Sequence, residues 1–116
     1  MIEVFLLDAL KKSIPNLFTR YPDKPPAIFT VFHRIDQGME DHVSKCTIAF
    51  TSYGKNFYDA MKQDETVQEA VFKLTESPFV SRVELGGGST GPDSANKLWS
   101  SEAIFNITYY EEVKNG

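Results

Sequence analysis

The chain has 116 residues, a hydrophobic content of 41%, a charged content of 24% and a net charge of −4. This length and composition are typical of one globular domain, spanning 1–116, with a single core. The acidic balance provides no overall electrostatic footprint for sequence-specific nucleic-acid binding. No stretch approaches the roughly 20 apolar residues of a membrane span. The single cysteine, Cys46, excludes an internal disulfide and suits a reducing cytosol.

The first predicted element is an amphipathic helix at the N-terminus. Apolar residues recur at helical spacing from Ile2 to Ile14. Acidic Glu3 and Asp8 interrupt the run, and no basic leader precedes it, so it does not resemble a signal peptide. The segment 13–26 contains four prolines, whose fixed φ angles predict a stiff, non-helical connection.

Two strands are predicted over 27–36 and 42–52, with a tight turn at Gly38-Met39. This turn would pair Val31 with Cys46 and His33 with Ser44. The core-facing residues in that register are Phe29, Val31, Cys46, Ile48 and Phe50. The opposite face is too apolar to be freely solvated and too charged to be deep core, which predicts contact with a helix or another subunit. Its candidate interface residues are Ile28, Phe32, Arg34, Val43 and Lys45, with Ala49 beside them.

A second helical pattern covers 56–76, before Pro78. Asp64 falls on its apolar stripe, and Thr66 with Glu69 has the spacing of a capping box. Either one helix or two helices joined near Asp64 fit this pattern. A third strand is then predicted over 79–85 from its alternation of apolar and polar residues.

The segment 86–97 is rich in glycine and has no apolar side chain larger than alanine. It is long for a hairpin connection, so it is predicted to be a flexible loop, and loops of this length are either functional or disordered. Its candidate interface residues are Gly86, Gly87, Gly88, Asp93 and Lys97. A P-loop would need a Lys-Ser/Thr pair directly after its last glycine, whereas Pro92 follows Gly91, so phosphate binding is disfavoured.

The last predicted strand, 98–112, organises the sheet. Its odd positions from Trp99 to Tyr109 form an apolar stripe, and its even positions are mostly polar. The polar residues Glu102, Asn106 and Thr108 favour a solvated face, with a ring lumen or a partner surface as open alternatives. The resulting prediction is an α+β, two-layer fold with a four-stranded, mostly antiparallel sheet and two main helices, in the order α-β-β-α-β-β.

Two groups of residues have side chains suited to catalysis or metal binding. In the predicted register, Cys46 and His33 are diagonal neighbours, but no third orienting group accompanies them, which favours packing over nucleophilic catalysis. A second cluster surrounds the first turn but lacks a recognised metal-ligand spacing; its members are His33, Asp36, Glu40, Asp41 and His42. The expectation is therefore a non-enzymatic protein without catalytic residues, cofactor or metal.

The C-terminal strand carries a resemblance. The residues Leu98-Trp99-Ser100-Ser101, a following acidic residue, alternating apolar residues and a terminal Ile107-Thr108-Tyr109 are similar to the C-terminal end of tail-terminator and tail-completion proteins of long-tailed phages and prophages. The order of predicted elements fits that family along most of the chain, while residue identity is confined to the last quarter.

The resemblance implies a structural protein that forms a homo-hexameric ring on the last ring of the tail tube. Such a ring stops polymerisation of the tail-tube protein and presents a surface to the head connector. It would assemble in the host cytoplasm and remain in the virion tail. Another neck or head-completion protein is the nearest alternative, and a small α+β ligand-binding domain or enzyme is the alternative from a different class.

Overall fold

The computed structural model describes residues 2–40, 43–95 and 97–110. The elements in chain order are α1 (Ile2–Leu10), β1 (Leu17–Phe18), β2 (Phe29–Glu40), β3 (Val43–Gly54), α2 (Phe57–Phe72), a 3₁₀ turn (Lys73–Glu76), β4 (Val80–Asp93) and β5 (Leu98–Tyr110). Among the helices so described, none is both long and apolar enough to cross a membrane.

The fold is α+β, as the sequence predicted, but the sheet has five strands in the order β1-β2-β3-β5-β4. β1 was missed. It consists of two residues inside the proline-containing segment and pairs in parallel with Thr30 and Val31 of β2. Asn16 adopts a left-handed conformation (φ 57°), and its carbonyl accepts a hydrogen bond from the Thr30 amide at 3.0 Å. Such a short pairing leaves no periodic pattern in the sequence.

β5 lies inside the sheet, paired with β3 on one side and β4 on the other. Its predicted alternation is confirmed, since every odd position from Ser101 to Tyr109 is buried and Trp99 is half-buried. α1 and α2 cover this face of the sheet and share one core with it. In α1, the buried residues recur every fourth position at Ile2, Leu6 and Leu10, as an amphipathic helix requires.

The predicted register of the first hairpin is wrong. Gly38 lies within β2 opposite Lys45, so the chain reverses after Glu40 rather than at Gly38-Met39. Val31 therefore faces Thr51, and Phe32 faces Phe50. Because neighbouring residues of a strand point to opposite sides, this shift exchanges the two predicted faces of β2. Phe32, predicted at an interface, is 1% exposed and belongs to the core.

Phe29 is buried as predicted, but in a second, smaller aromatic cluster on the far face of the sheet. The segment after β1 folds over this face, and the Tyr21 ring contacts both Phe29 and Tyr53 at centroid distances of 5.3 and 5.5 Å. Phe18 contacts Phe29 from β1. Burial and the nearby Asp93 carboxylate both raise the pKa of Tyr21 and of Tyr53. The proline-containing segment is thus anchored to the sheet by edge-to-face ring contacts.

α2 is one continuous helix and not two. Asn56 caps its N-terminus by accepting a hydrogen bond from the Asp59 amide at 2.8 Å. Thr66 does not start a second helix, because its hydroxyl donates to the Lys62 carbonyl one turn earlier. One oxygen of the buried Asp64 carboxylate accepts hydrogen bonds from Ser101 of β5 at 2.8 Å and from Gln68 at 3.3 Å, whereas the other oxygen has no partner among the described residues.

The predicted loop over 86–97 is wrong for most of its length. Gly86–Asp93 continues β4, and Gly87 to Asp93 pair residue by residue with Ile104 to Leu98 of β5. Two register shifts, after Val80 and after Leu85, allow the strand to follow the curvature of the sheet. The glycines permit close approach, since a Cβ at Gly88 would lie 2.2 Å from the Glu102 carbonyl oxygen.

A matched pair of substitutions tests this assignment. Gly88→Ala should lower the free energy of unfolding by roughly 1–3 kcal/mol, because the added methyl group meets a backbone atom that cannot move aside. Gly87→Ala should change it by less than about 0.5 kcal/mol, since a Cβ there meets nothing within 4 Å. Equal effects in urea titrations of the two variants would indicate that this segment is a loop after all.

Candidate functional site

The structure separates Cys46 from His33. His33 lies opposite Ala49 and is exposed, whereas Cys46 points into the core with 3% of its surface exposed. Burial, with a smaller contribution from Glu3, raises the pKa of the Cys46 thiol to about 12. The thiol is therefore protonated at neutral pH, and a nucleophilic pair is not formed.

We expect Cys46 to be unreactive in the native protein. A thiol reagent at neutral pH should label it at the rate of unfolding, because thiolate formation and access both require opening of the core. Labelling in native buffer should be at least about 100-fold slower than in 6 M guanidinium chloride. Comparable rates in the two buffers would contradict the burial of Cys46.

The turn cluster that the sequence disfavours as a metal site divides between described and undescribed residues. Asp41 and His42 lie outside the described residues, and the side chain of Glu40 is likewise not described. In the part that is described, no three His, Cys, Asp or Glu side chains come close enough to hold a metal ion. Gly86, Gly87 and Gly88 lie in an extended strand, which does not form a phosphate-binding loop.

A row of hydroxyl side chains crosses the sheet beneath α2. Thr30, Ser52, Ser101 and Thr90 are successive register partners on β2, β3, β5 and β4. α2 contributes Gln63, which donates to the Thr30 hydroxyl and to the Pro15 carbonyl, both at 2.9 Å. These hydrogen bonds fix the position of α2 over the sheet, and they join the polar groups to one another rather than to a cavity.

The outer face of the sheet, away from the helices, forms a shallow groove of about 660 Å³ at the end distant from the aromatic cluster. Lys45, Arg82 and Glu84 line it, together with Asn106 and Thr108. Two pairs of its side chains interact: Thr47 donates to Asn106 at 2.8 Å, and Arg82 meets Glu84 at 2.7 Å. The groove is open and mixed in charge, which is typical of a contact surface rather than a catalytic pocket.

Both edges of the sheet are open in the described chain. β4 is the last strand at one edge, and its outer side pairs with no other described strand. At the opposite edge, β1 covers β2 only at Thr30 and Val31, so the outer side of β2 is unpaired from Phe32 onward. Unpaired strand edges present rows of N–H and C=O groups that pair readily with another chain.

The edges carry exposed apolar side chains. On the β4 side, Leu85 is 46% exposed and Phe72 of α2 is 43% exposed. On the β2 side, Val4 of α1 is 57% exposed and Ile35 is 54% exposed. Large apolar side chains at unpaired edges are typical of protein–protein contact regions.

The predicted interface residues are distributed over these surfaces. Arg34 and Lys45 are exposed, on the β2 edge and the outer groove; Ile28 and Val43 are half-buried; Phe32 is in the core. Gly86, Gly87 and Gly88 are exposed on β4, with Asp93 at its end and Lys97 in the connection to β5. The sequence did not identify Leu85, Phe72 and Val4 as interface residues. For Leu85 a signal was present, since it is an apolar residue directly before the glycine run.

Comparison with models of known protein families and with curated proteins returned no match.

Proposed function

We propose that this chain is a structural assembly protein, a tail terminator of a phage or prophage. It acts as a homo-hexameric ring that caps the tail tube, stops polymerisation of the tail-tube protein and offers a surface to the head connector. It catalyses no reaction. Its mechanism is shape complementarity and ring closure, and its place is the host cytoplasm during assembly and then the virion tail.

The observation that carries the assembly role is that, among the described strands, both edges of the sheet are left unpaired over most of their length. A ring needs heterologous contacts, in which two different patches of the same chain meet. The tail-terminator assignment is supported by the sequence motif from Leu98 to Tyr109, which lies on the strand at the interior of the sheet. The Cys46 thiol and the His33 imidazole lie on opposite faces of the sheet and do not form a nucleophile–base pair.

Binding to preformed tail tubes tests this function. Labelled chain should co-sediment with tubes of its tail-tube protein in proportion to the number of tube ends, because a terminator binds an end and not the wall. Shearing the tubes to half their length should therefore double the bound amount at constant tube mass. Binding that is absent, or that is unchanged by shearing, would contradict the proposal, and binding to heads alone would favour a head-completion protein.

A further inference from the structure

We propose that neighbouring copies of this chain join edge to edge, with β4 of one copy pairing with β2 of the next and Leu85 entering a notch between α1 and β2. The edge-to-edge contact is argued from the structure alone, and only the closure of successive contacts into a ring rests on the proposed function. The occupant of each edge is thus a second copy of the same chain.

The notch has a volume of about 560 Å³ and lies at the β2 edge. Its apolar lining comes from Val4 and Leu7 of α1 and from Phe32 of β2. Arg34 borders it and forms an ion pair with Glu3 at 3.4 Å. The second carboxylate oxygen of Glu3 is buried and has no hydrogen-bond partner within the described chain.

The complementary ridge lies at the opposite edge. Leu85 is the cross-strand partner of Phe105, and Phe72 contacts the Phe105 ring at a centroid distance of 5.4 Å. Leu85 and Phe72 are therefore neighbours on the helix side of the sheet. The notch also opens on the helix side, because α1 and α2 pack on the same face.

The register places ridge and notch at the same level along the strands. Leu85 pairs with Phe105, Phe105 with Ile48, and Ile48 with Arg34. A rotation about an axis parallel to the strands places one copy beside the next and leaves every residue at the same height along that axis. Leu85 then arrives at the level of Arg34, which lines the notch.

Strand direction also favours this pairing. β2, β3, β5 and β4 alternate in direction across the sheet, so β4 runs opposite to β2. The same rotation preserves those directions and makes the new pair antiparallel, which is the slightly more stable arrangement. β1 occupies the β2 edge at Thr30 and Val31, which confines the new pairing to the part of β2 beyond it.

The available area is sufficient for a stable contact. The molecule measures 44 × 24 × 23 Å. The uncovered part of β2, residues 32–40, is roughly 30 Å long at about 3.3 Å per residue. A contact of that length and 23 Å in width covers roughly 700 Å² per copy, close to the about 800 Å² per partner of a standard interface. An isologous β4–β4 pair would leave Val4 and Ile35 uncovered on the other edge, so the heterologous pair accounts for both sets of exposed apolar residues.

Sedimentation velocity of single and mixed variants tests the contact. Leu85→Asp disables the ridge and Val4→Asp disables the notch; both side chains are about half exposed, so folding should persist, as circular dichroism will check. Each variant alone should be monomeric at concentrations where the wild type assembles. Tyr58→Asp, at a residue 66% exposed on α2, is the matched control and should assemble as the wild type does.

The mixture distinguishes a heterologous contact from other arrangements. Each variant retains the half-site that the other lacks, so an equimolar mixture should form a one-to-one dimer and nothing larger. An isologous β4 contact predicts instead that Val4→Asp assembles normally. Normal assembly of Val4→Asp would overturn the proposal. So would assembly of Leu85→Asp alone, or a wild type that stays monomeric at every soluble concentration. If rings form and depend on Leu85 and Val4 but do not bind tail tubes, the proposed contact is correct and the proposed function is wrong.

Discussion

Replacing Phe105 with alanine should lower the free energy of unfolding by roughly 3–5 kcal/mol. Phe105 is 0% exposed at the interior of the sheet, and its ring contacts Phe50 and Phe72 at centroid distances of 5.9 and 5.4 Å. Truncation would leave a cavity where β3, β5 and α2 meet. Urea unfolding followed by circular dichroism measures the loss.

Phe79→Ala is the control for that substitution, because the Phe79 side chain is 44% exposed. Its backbone carbonyl accepts a hydrogen bond from the Tyr110 amide, and alanine retains that carbonyl. It should cost less than about 1 kcal/mol. If Phe105→Ala cost no more than this control, the odd face of β5 would not be the core.

Shortening the glycine-rich hairpin should be the second large effect. Replacing residues 87–96 by Asn-Gly removes seven register pairs between β4 and β5, together with their backbone hydrogen bonds and the hydrogen bond between the Thr90 and Ser101 hydroxyls. Gly86 and Lys97 lie about six pair positions apart along the strands, which is a distance of roughly 20 Å. A two-residue turn is too short to join them. We expect loss of cooperative unfolding or a much lower urea midpoint.

A shorter replacement provides the control. Asp93 and Leu98 are register partners, so replacing only residues 94–97 by Asn-Gly joins paired positions with a standard two-residue hairpin turn. This variant should unfold within about 1 kcal/mol of the wild type. A stable protein lacking residues 87–96 would show that the extended hairpin contributes little to the fold.

The sequence predicted the elements whose periodicity is strong and local. β5 has a clean alternation, and α1 and α2 have apolar residues at helical spacing, so their type and buried faces could be read directly. Asp64 left the number of helices open because its hydrogen-bond partner Ser101 lies 37 residues away in the sequence.

The sequence-based predictions were wrong where the structure of a segment depends on the strand that pairs with it. Gly38 looked like a turn, yet it lies in β2 because β3 is long enough to pair with it. Glycine content suggested a loop over 86–97, whereas Gly86–Asp93 pairs with β5 as a strand. The Glu102 carbonyl leaves no room for a Cβ at Gly88, so the glycine there reflects close strand approach. The ridge and notch could not be predicted, since both depend on which side of an edge strand remains unpaired.

Growth of tail tubes in the presence of this chain tests its central role most directly. Tail-tube protein should be polymerised with increasing, substoichiometric amounts of the chain and the tube lengths measured by electron microscopy. A terminator predicts shorter tubes as its concentration rises, each bearing a single six-subunit ring at one end. Tubes of the same length and number with and without the chain, and no ring at their ends, would contradict the account.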